Sequence, residues 1–455
     1  MSSKAIARFA FAVFFSLLIS VPALADSHVR IVRLSYIEGG VQIDRNTGQY
    51  EKAMVNLPVT EGFKVRTETD GRAEVEFEDG STLRLASNTT VQFPTLSLRG
   101  SGAKVSVGEV ESGTLYAVAE VESGTVYVDF GGAKNADLTL QFGQQKVVLR
   151  RAAHLRIAAT DLNTSLAVFK GDVAVESPSG SIEMKKNQTA TFDAVAGTQP
   201  LLAKNIEPEP LDSWDKQQSQ YHERYGSNSY GNYSPYAYGT SDLSYYGTFF
   251  SAPGYGMVWQ PYLIGSGWDP FMDGAWAFSP GFGYGWVSAY PWGWTPYHYG
   301  GWVFLPGYGW AWQPGGVWSP FNSQPTILRA PTGFKPPRPP VGVVSKGATI
   351  VTVNRFPPSL ISKAGNKVEI RNNSAGLGVP RGQVSNLARV SHQVEQRGSV
   401  TQTVRPVAVV RPAPSSQRSG PTQGPSSSRG GESRPSFPQP RMSSPAPSSG
   451  GPRRK

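Results

Sequence analysis

Residues 72–85 read RAEVEFEDGSTLRL, and this stretch decides the fold class of the first half of the chain. Apolar residues alternate with charged ones on both sides of an Asp-Gly pair, which is the period of a β-strand with one apolar face. A two-residue loop would set Val75 opposite Arg84 on one face, whereas a three-residue loop ending at Gly80 restores apolar pairing. Because only the odd loop length pairs apolar with apolar residues, this parity argument predicts an antiparallel hairpin with the pairs Ala73–Leu85, Glu74–Arg84 and Val75–Leu83.

Short strands are predicted on both sides of this hairpin, from about residue 30 to residue 200. The stretch VESGTLYAV at 110–118 recurs as VESGTVYVD at 121–129, an offset of 11 residues. The two units are adjacent strands or successive rungs of a solenoid, and the sequence leaves both alternatives open, as it does the strand order between 130 and 165. Further strand candidates are 30–35, 104–107, 138–142, 146–149, 166–169, 173–175 and 189–192.

The first 25 residues have the pattern of a secretory signal peptide. Lys4 and Arg8 precede an apolar run, and Ala23-Leu24-Ala25 offers a cleavage site. An uncleaved anchor is the alternative, but the apolar run 9–24 is shorter than the roughly 20 residues that cross a bilayer. No later segment is apolar enough to span, so we expect an exported chain in the periplasm or outer envelope, with no transmembrane span after cleavage.

Several motifs of the first half occur in the order of a known family. They are Gly39-Gly40-Val41, residues 61–67, residues 70–75 and residues 79–85, followed by residues 168–175. This order resembles the FecR-like periplasmic domain over roughly residues 30–195. The resemblance implies a β-sandwich or solenoid-like module whose role is to bind a protein partner as a scaffold or sensor.

Tryptophan is concentrated between residues 245 and 320, which hold ten of the 11 in the chain. Gly-Tyr-Gly and Gly-x-Trp elements recur at intervals of about 24 to 29 residues, which suits a β-hairpin repeat, and Trp-x-Pro elements also recur. The run PWGWTPYHYG at 291–300 resembles a Trp/Gly-rich repeat domain of unknown function that follows FecR-like domains in exported bacterial proteins. The aromatic rings form either a packed core or an exposed platform that stacks on sugar rings.

Trp292, Trp294 and Tyr297 are the candidate contacts with a glycan or a protein partner. If the region binds a glycan, the proline and glycine residues between them, which interrupt the strand pattern, predict a loop that exposes these three side chains. For each of them taken singly, burial in an aromatic core is the favoured interpretation. The neighbouring His298 has no second histidine or acid nearby in sequence, so we predict a hydrogen-bonded packing residue instead of a metal ligand.

No pattern in the chain indicates an enzyme. There is no cysteine, the five histidines lie far apart, and no HExxH, P-loop or GxSxG motif occurs. Asp269 and Asp273 are the best acid pair for a glycosidase, but they lie on a segment interrupted by proline and glycine, so helix geometry cannot pair them. We therefore predict no catalytic residue, no cofactor and no metal.

Composition divides the chain into five parts. A signal peptide at 1–25 and a FecR-like β domain at 26–200 are followed by a linker with a short helix at 201–244. A Trp/Gly/Tyr-rich β-repeat domain covers 245–325, and a basic low-complexity tail, mostly disordered, covers 326–455. From residue 325 onward the chain carries 20 Lys and Arg against 3 acidic residues, although the whole chain is only +10. An acidic body is thus joined to a basic tail.

These features together predict a non-enzymatic, all-β, exported envelope protein. Because an export signal keeps the basic tail away from cytosolic nucleic acid, its expected contacts are anionic envelope surfaces. The main hypothesis is a periplasmic FecR-like scaffold or sensor that binds an envelope protein. The alternative is binding of cell-wall polysaccharide or peptidoglycan through the Trp-rich repeat.

Overall fold

The computed structural model describes residues 31–100, 113–134, 136–193, 198–226, 233–279, 283–316, 318–319, 326–341, 350–354, 363–364 and 366–405. The predicted signal peptide, the strand candidate at 104–107 and the tail from residue 406 lie outside these ranges. Within them the chain is mainly β-strand, which confirms the predicted fold class. No helix of the described residues combines the length and apolarity that crossing a membrane requires.

The hairpin that opened the sequence analysis forms in the predicted register. Strand β6 (Arg72–Glu76) pairs with β7 (Thr82–Leu85), and Val75 lies opposite Leu83. Gly80 has a φ of 84°, and the Phe77 N–H donates to the Ser81 carbonyl at 2.8 Å, which closes a three-residue loop. The parity argument is therefore confirmed at the level of individual pairs.

Seventeen strands of the first half form two sheets that share one strand, β9 (Gly113–Phe130). The first sheet has the order β3 (Tyr50–Lys52), β2 (Val41–Asp44), β5 (Lys64–Thr67), β8 (Thr90–Gly100), β9, β10 (Ala136–Phe142), β11 (Gln145–Leu149), β14 (Val173–Ser177) and β15 (Gly180–Met184). The second has the order β4 (Pro58–Val59), β1 (Val32–Glu38), β6, β7, β9, β12 (Ala153–Ala159), β13 (Asn163–Lys170), β16 (Gln188–Asp193) and β17 (Leu201–Ala203).

After β9, successive hairpins belong alternately to the first and the second sheet. The hairpin of β10 and β11 belongs to the first sheet, that of β12 and β13 to the second, and the next two repeat this alternation. Both sheets contribute side chains to one apolar core, whose large members are Val, Leu, Ile, Phe and Met. This settles the strand order between 130 and 165 that the sequence left open.

Residues 113–118 of the first unit and residues 121–129 of the second lie in the single strand β9, while residues 110–112 are outside the described ranges. The two units are therefore neither adjacent strands nor successive rungs. The first part of β9 pairs with β8 and β10, and its second part, from Gly124 onward, pairs with β7 and β12. Gly124 has a φ of 88°, and an added Cβ would lie 2.4 Å from the Thr89 Oγ1 atom. Only glycine fits at this corner, where the strand passes from one sheet to the other.

Helix α1 (Asp212–Gly226) lies within the predicted linker and packs against the second sheet. Its Trp214 is buried beside Tyr127, whose hydroxyl donates to Asp212 at 2.9 Å, and Arg156 holds the same carboxylate at 2.7 Å. Acidic residues in the first turn also suit the positive end of the helix dipole. Tyr221 of the same helix packs into the aromatic core of the second half.

The second half contains three β-hairpins joined by loops and short helices. They are β18 (Gly247–Ala252) with β19 (Gly256–Pro261), β20 (Asp273–Ser279) with β21 (Gly283–Ser288), and β22 (Gly301–Leu305) with β23 (Gly309–Gln313). Sheets of five and three strands form when β24 (Ile327–Arg329) and β25 (Ile350–Asn354) add to them. Helix α2 (Thr240–Tyr246) precedes the first hairpin, and α3 (Thr295–His298) precedes the third.

Each of these hairpins has a glycine whose missing side chain makes room for an indole 12 residues later. A Cβ on Gly247 would lie 2.3 Å from Trp259, one on Gly274 would lie 2.3 Å from Trp286, and one on Gly300 would lie 2.7 Å from Trp312. The sequence analysis placed both glycine and tryptophan in recurring elements. Close packing of the ring on the glycine backbone gives that spacing a physical reason.

A third folded element lies in the part of the chain that composition assigned to a mostly disordered tail. Strands β26 (Lys363–Ala364), β27 (Lys367–Arg371) and β28 (Ser399–Thr403) form a sheet, and helix α4 (Leu387–Arg397) begins after Asn386, whose side chain accepts from the Arg389 N–H. Apolar residues of this element, including Ile370 and Val394, join the aromatic core. The described residues from 31 to 405 belong to one compact unit, while the domain limits drawn from composition stay a prediction.

Candidate functional site

The three predicted contact residues lie inside the aromatic core. Trp292 and Trp294 are fully buried and Tyr297 is 2% exposed, so the expectation that a loop exposes them is wrong. The Trp292 ring stacks on Tyr290 at 5.0 Å with an interplanar angle of 3°, and its Nε1–H donates to the Ala375 carbonyl at 2.7 Å. Proline and glycine do interrupt the strand pattern here, but residues far along the chain cover the loop. A role in glycan or partner contact stays a prediction without support from exposure.

His298 is buried between aromatic rings. Its Nδ1–H donates to the Trp294 carbonyl at 2.8 Å, and its ring lies 4.1 Å from that of Trp294 and 5.4 Å from that of Trp318. Burial lowers the pKa of His298 to about 4, although the Trp294 carbonyl opposes the shift. The prediction of a hydrogen-bonded packing residue is confirmed.

The other indoles also serve packing. Trp259 and Trp312 donate their Nε1–H groups to the Leu243 and Tyr299 carbonyls, and Trp268 donates to the Tyr290 hydroxyl. Within the described ranges, five further buried indole nitrogens have no hydrogen-bond partner, those of Trp214, Trp276, Trp286, Trp294 and Trp302. The tryptophans are therefore placed mainly for ring contact and area burial, and only some satisfy their polar atom.

A network of buried charges lies where β1, β6 and β7 meet helices α1 and α2. At its centre Arg84 is fully buried, with its Nε–H donating to Glu74 at 2.8 Å and its Nη1 to Asp215 of α1 at 2.7 Å. Desolvation alone would lower the pKa of Arg84, but Glu74 and Asp215 more than offset this and raise it. The ion pairs therefore join the hairpin of the first half to the helix that follows it.

Glu74 has three further polar contacts besides Arg84. The Ser35 hydroxyl donates to it at 2.7 Å, Arg381 at 2.7 Å, and the His222 Nε2 atom lies at 3.0 Å. Burial would raise the pKa of Glu74, but His222, Arg381 and Arg84 hold it well below the usual range. The carboxylate is thus kept ionised in the interior of the protein.

Asp242 of helix α2 is the second acidic centre of the network. The Tyr221 hydroxyl donates to it at 2.7 Å, Arg381 donates at 3.2 Å, and Arg33 of β1 also binds it. Burial favours the neutral acid, but Arg381 and Arg33 lower the pKa of Asp242. Arg381, from the third folded element, therefore bridges acids that belong to the two halves of the molecule.

Glu76 differs from these two acids. Arg33 lies 3.6 Å away and the Gly239 N–H donates at 3.2 Å, yet burial dominates and raises the pKa of Glu76. A carboxyl with fewer close cations than its neighbours is the member of the network that protonates most readily.

Sequence analysis predicted the pair of Glu74 with Arg84 but did not identify this buried network. Glu74, Glu76 and Arg84 stand on the charged face of the opening hairpin, which alternation assigns to solvent, but they are 0%, 1% and 0% exposed. The one available signal is that this face carries both signs of charge, since buried charges occur as pairs. Two of their partners, Asp215 and Arg381, lie 131 and 307 residues away from Arg84 and Glu74, beyond any local pattern.

The arrangement binds structural elements together and offers no reactive group to solvent. Each acid described above is paired with arginine or with hydrogen-bond donors, and the described part of the chain has no group of three His, Asp or Glu side chains placed to hold a metal ion. The acids Asp269 and Asp273 of the aromatic region are 9% and 5% exposed, and Tyr290 donates to Asp273 at 3.3 Å.

Two family models match the chain in succession. The model described as FecR protein matches residues 63–174, and that described as Family of unknown function (DUF6600) matches residues 240–339. Residues 63–174 are thus similar to FecR protein, and a region similar to a family of unknown function follows them. Both matches agree with the resemblances drawn from the sequence. The ion network joins Glu74 of the first matched region to Asp242 of the second through Arg381.

Comparison with solved structures finds a proposed anti-sigma factor from Parabacteroides distasonis ATCC 8503 in two crystal structures. Identity is 16% and 14%, and the TM-score is 0.26 in both cases. The match covers 33% and 35% of this chain, and it spans 63% and 71% of those chains. A likeness at this level carries no argument about function. Comparison with curated proteins finds no match.

Proposed function

We propose that this protein is a non-enzymatic, exported envelope protein whose FecR-like region acts as a sensor or scaffold and binds a protein partner. The observation that carries the proposal is the buried ion network. It fixes the FecR-like strands to α1, to α2 and to Arg381, so that a load or contact on one region is passed to the others through paired charges that are costly to separate.

Export to the periplasm or outer envelope is part of this proposal. Residues 1–25 have the pattern of a signal peptide, and the chain lacks cysteine. FecR-like modules are typically periplasmic, and the match at 63–174 is consistent with that location. The basic tail would then contact anionic envelope surfaces rather than nucleic acid.

We place the partner contact on the outer edge of β17. Among the described residues this strand pairs only with β16, and its Leu201 and Leu202 are 74% and 55% exposed. An open strand edge offers unpaired N–H and C=O groups, and exposed leucines add apolar area for an extended peptide. Strand addition is therefore the expected mode of binding.

Site-specific photocrosslinking in cells that produce the full chain tests this placement. A photoreactive residue in place of Leu202 should give one discrete adduct with an envelope protein, and the additional change Leu201→Lys should abolish it. The same probe in place of Tyr308, which is 55% exposed in the second half, is the matched control. An adduct at Tyr308 but none at Leu202 would overturn the placement.

Glycan binding is the second candidate, and one observation favours it. Tyr308 is 55% exposed and stacks on Phe250 at 5.5 Å with an interplanar angle of 27°. Such an exposed aromatic pair can stack on sugar rings, although the buried Trp292 cannot. Sedimentation of the full chain with purified peptidoglycan in 0.5 M salt, lost in Tyr308→Ala, would support this function. Binding that disappears in salt for both forms would assign it to tail charge.

A further inference from the structure

We propose that Glu74, Asp242 and two tyrosine rings form a binding site for a guanidinium group, that Arg381 is its ligand in cis, and that a guanidinium supplied in trans occupies the same place when Arg381 is removed. This inference goes beyond the proposed function and does not depend on it. The site lies between the first sheet-forming half and helix α2, and the ligand comes from the folded element at 366–404.

The contacts of Arg381 are those that a planar guanidinium makes and an ammonium cannot. Its Nη1 donates to Glu74 at 2.7 Å, while Nη2 donates to the Ser35 carbonyl at 2.9 Å and to Asp242 at 3.2 Å. The guanidinium carbon lies 4.8 Å from the centre of the Tyr221 ring and 5.6 Å from the centre of the Tyr36 ring. Two acids are thus bridged by two separate nitrogens, with an aromatic face against the cation.

The acids are held in place by groups other than Arg381. Glu74 also binds Arg84, at 2.8 Å, and the Ser35 hydroxyl, at 2.7 Å. Asp242 also accepts from the Tyr221 hydroxyl and from Arg33. Removing the Arg381 side chain therefore leaves both carboxylates oriented as they are in the intact protein, which is the condition for a preformed site.

The ligand is presented on an irregular loop rather than on a helix or strand. Gly376, Gly378 and Gly382 have φ values of 87°, 73° and 68°, and a Cβ on Gly382 would lie 3.0 Å from the Tyr221 ring. Tyr245 and Tyr246 of helix α2 donate their hydroxyls to carbonyls of this loop, at 3.1 Å and 2.9 Å. Glycine freedom and backbone capture together let the arginine enter the site from one side.

A tethered ligand has a large advantage over a free one. Attachment in the same chain gives Arg381 an effective concentration on the order of millimolar or more, so a weak free guanidinium does not displace it from the intact protein. The partner chemistry that fits the site is an arginine in a glycine-flanked loop. The intrinsic preference of the site is measurable once the ligand in cis is shortened.

Chemical rescue of the full chain with Arg381→Ala is the test. Ethylguanidine has the atoms that this change deletes, and n-propylamine has similar size and charge without the planar fork. Arg381→Ala should lower Tm by about 5 °C or more, since it leaves two buried acids short of a cation. Ethylguanidine at 10 mM should restore at least half of the loss, and n-propylamine should restore little. Arg371→Ala, on the exposed end of β27, is the matched control and should show neither effect.

Rescue by both compounds alike would overturn the proposal, because charge alone would then suffice. An unchanged Tm in Arg381→Ala, or a lowered Tm that ethylguanidine does not raise, would overturn it as well. Should Arg381→Ala fail to fold, Arg381→Lys provides the second test. A Tm below that of the wild type supports the need for a guanidinium, and an equal Tm contradicts it.

Discussion

The two halves of the molecule build their cores from different side chains. The FecR-like half buries Val, Leu, Ile, Phe and Met between two sheets, and its core cluster has no tryptophan or tyrosine. The core of the second half holds eight tryptophans, those at 259, 268, 276, 286, 292, 302, 310 and 312. Both cores are buried, but the first consists of many medium-sized side chains and the second is dominated by a smaller number of large rings.

The difference follows from how much backbone each half commits to sheets. Two extended sheets give the FecR-like half long ladders that align aliphatic side chains in register. The second half has sheets of only five and three strands, and five of its six hairpin strands begin at glycine. Because a buried aromatic ring removes roughly 150–250 Å² from water, a few rings compensate for the smaller sheets.

Truncation in the aromatic core should have the largest effect. Trp292→Ala removes a fully buried ring that contacts Tyr290, Trp259 and Trp302, and it should lower the free energy of unfolding by about 4 kcal/mol. Leu140→Ala in the aliphatic core should cost about 3 kcal/mol. Urea denaturation followed by circular dichroism measures both. The exposed control Tyr308→Ala should cost less than about 1 kcal/mol, and a Trp292→Ala cost as small as this would contradict the comparison.

Substitution in the buried ion network should have the next largest effect, because the network couples the two halves. Glu74→Gln leaves Arg84 and Arg381 short of a buried anion and should cost about 3 kcal/mol at pH 7. Since the folded pKa of Glu74 lies below the usual value, this stabilisation is present above about pH 4.5 and is lost as pH falls through the folded pKa. The urea midpoints of wild type and variant should therefore converge at low pH.

The matched control for the buried ion network is Glu176→Gln. Glu176 pairs with Lys146 at 3.4 Å on the surface, with side-chain exposures of 62% and 44%. Its replacement should change the urea midpoint little at any pH, because exposed pairs contribute little. Equal effects of the two substitutions at pH 7 would show that the buried network does not couple the halves.

The pH dependence of the second half should show the burial of His298. Its folded pKa of about 4 lies below the ordinary 6.5, so unfolding takes up a proton between these values and stability falls as pH drops from 6.5 to 4. The loss should approach about 3 kcal/mol and be absent in His298→Gln. His392→Gln, at an exposed position of α4, should leave this loss of stability unchanged. A wild-type curve parallel to that of His298→Gln would contradict this reading.

The glycine contacts should have the smallest effect of the four. Gly274→Ala puts a methyl group 2.3 Å from the Trp286 ring and 2.7 Å from the Val287 carbonyl, and it should cost about 2 kcal/mol. Gly254→Ala meets nothing within 4 Å but has a φ of 80°, so its cost should be about 1 kcal/mol. Thermal unfolding ranks the two. A lower cost for Gly274→Ala would mean that the indole moves aside freely.

Local pattern was sufficient for several strands and for one register. The alternation at 72–85 favoured the pairing of Val75 with Leu83, because a two-residue loop would have placed apolar and charged side chains on one face. Candidate strands at 138–142 and 146–149 correspond to β10 and β11 within two residues at each end. In these places the side-chain period and the turn residues act over a few positions, so the sequence contains the whole argument.

Local pattern misplaced the residues whose surroundings come from elsewhere in the chain. Trp292 was expected to be exposed, but the carbonyl of Ala375 and neighbouring rings cover it. The ordered element at 366–404 was assigned to a tail, because its apolar residues are diluted by the proline, serine and glycine around them. Its order comes from packing on the aromatic core, which composition does not report.

The sequence by itself determined the β period, the hairpin register and the glycines that turns and close contacts require, since these depend on neighbours in the chain. Only the tertiary structure decided which charged face is buried and which rings are covered. The alternation of the strand assigns Glu74 to the solvent-facing side, but in the structure it is buried and accepts from Arg381, 307 positions away. Burial is a property of what packs on a residue, and that packing is set by distant segments that no local pattern identifies.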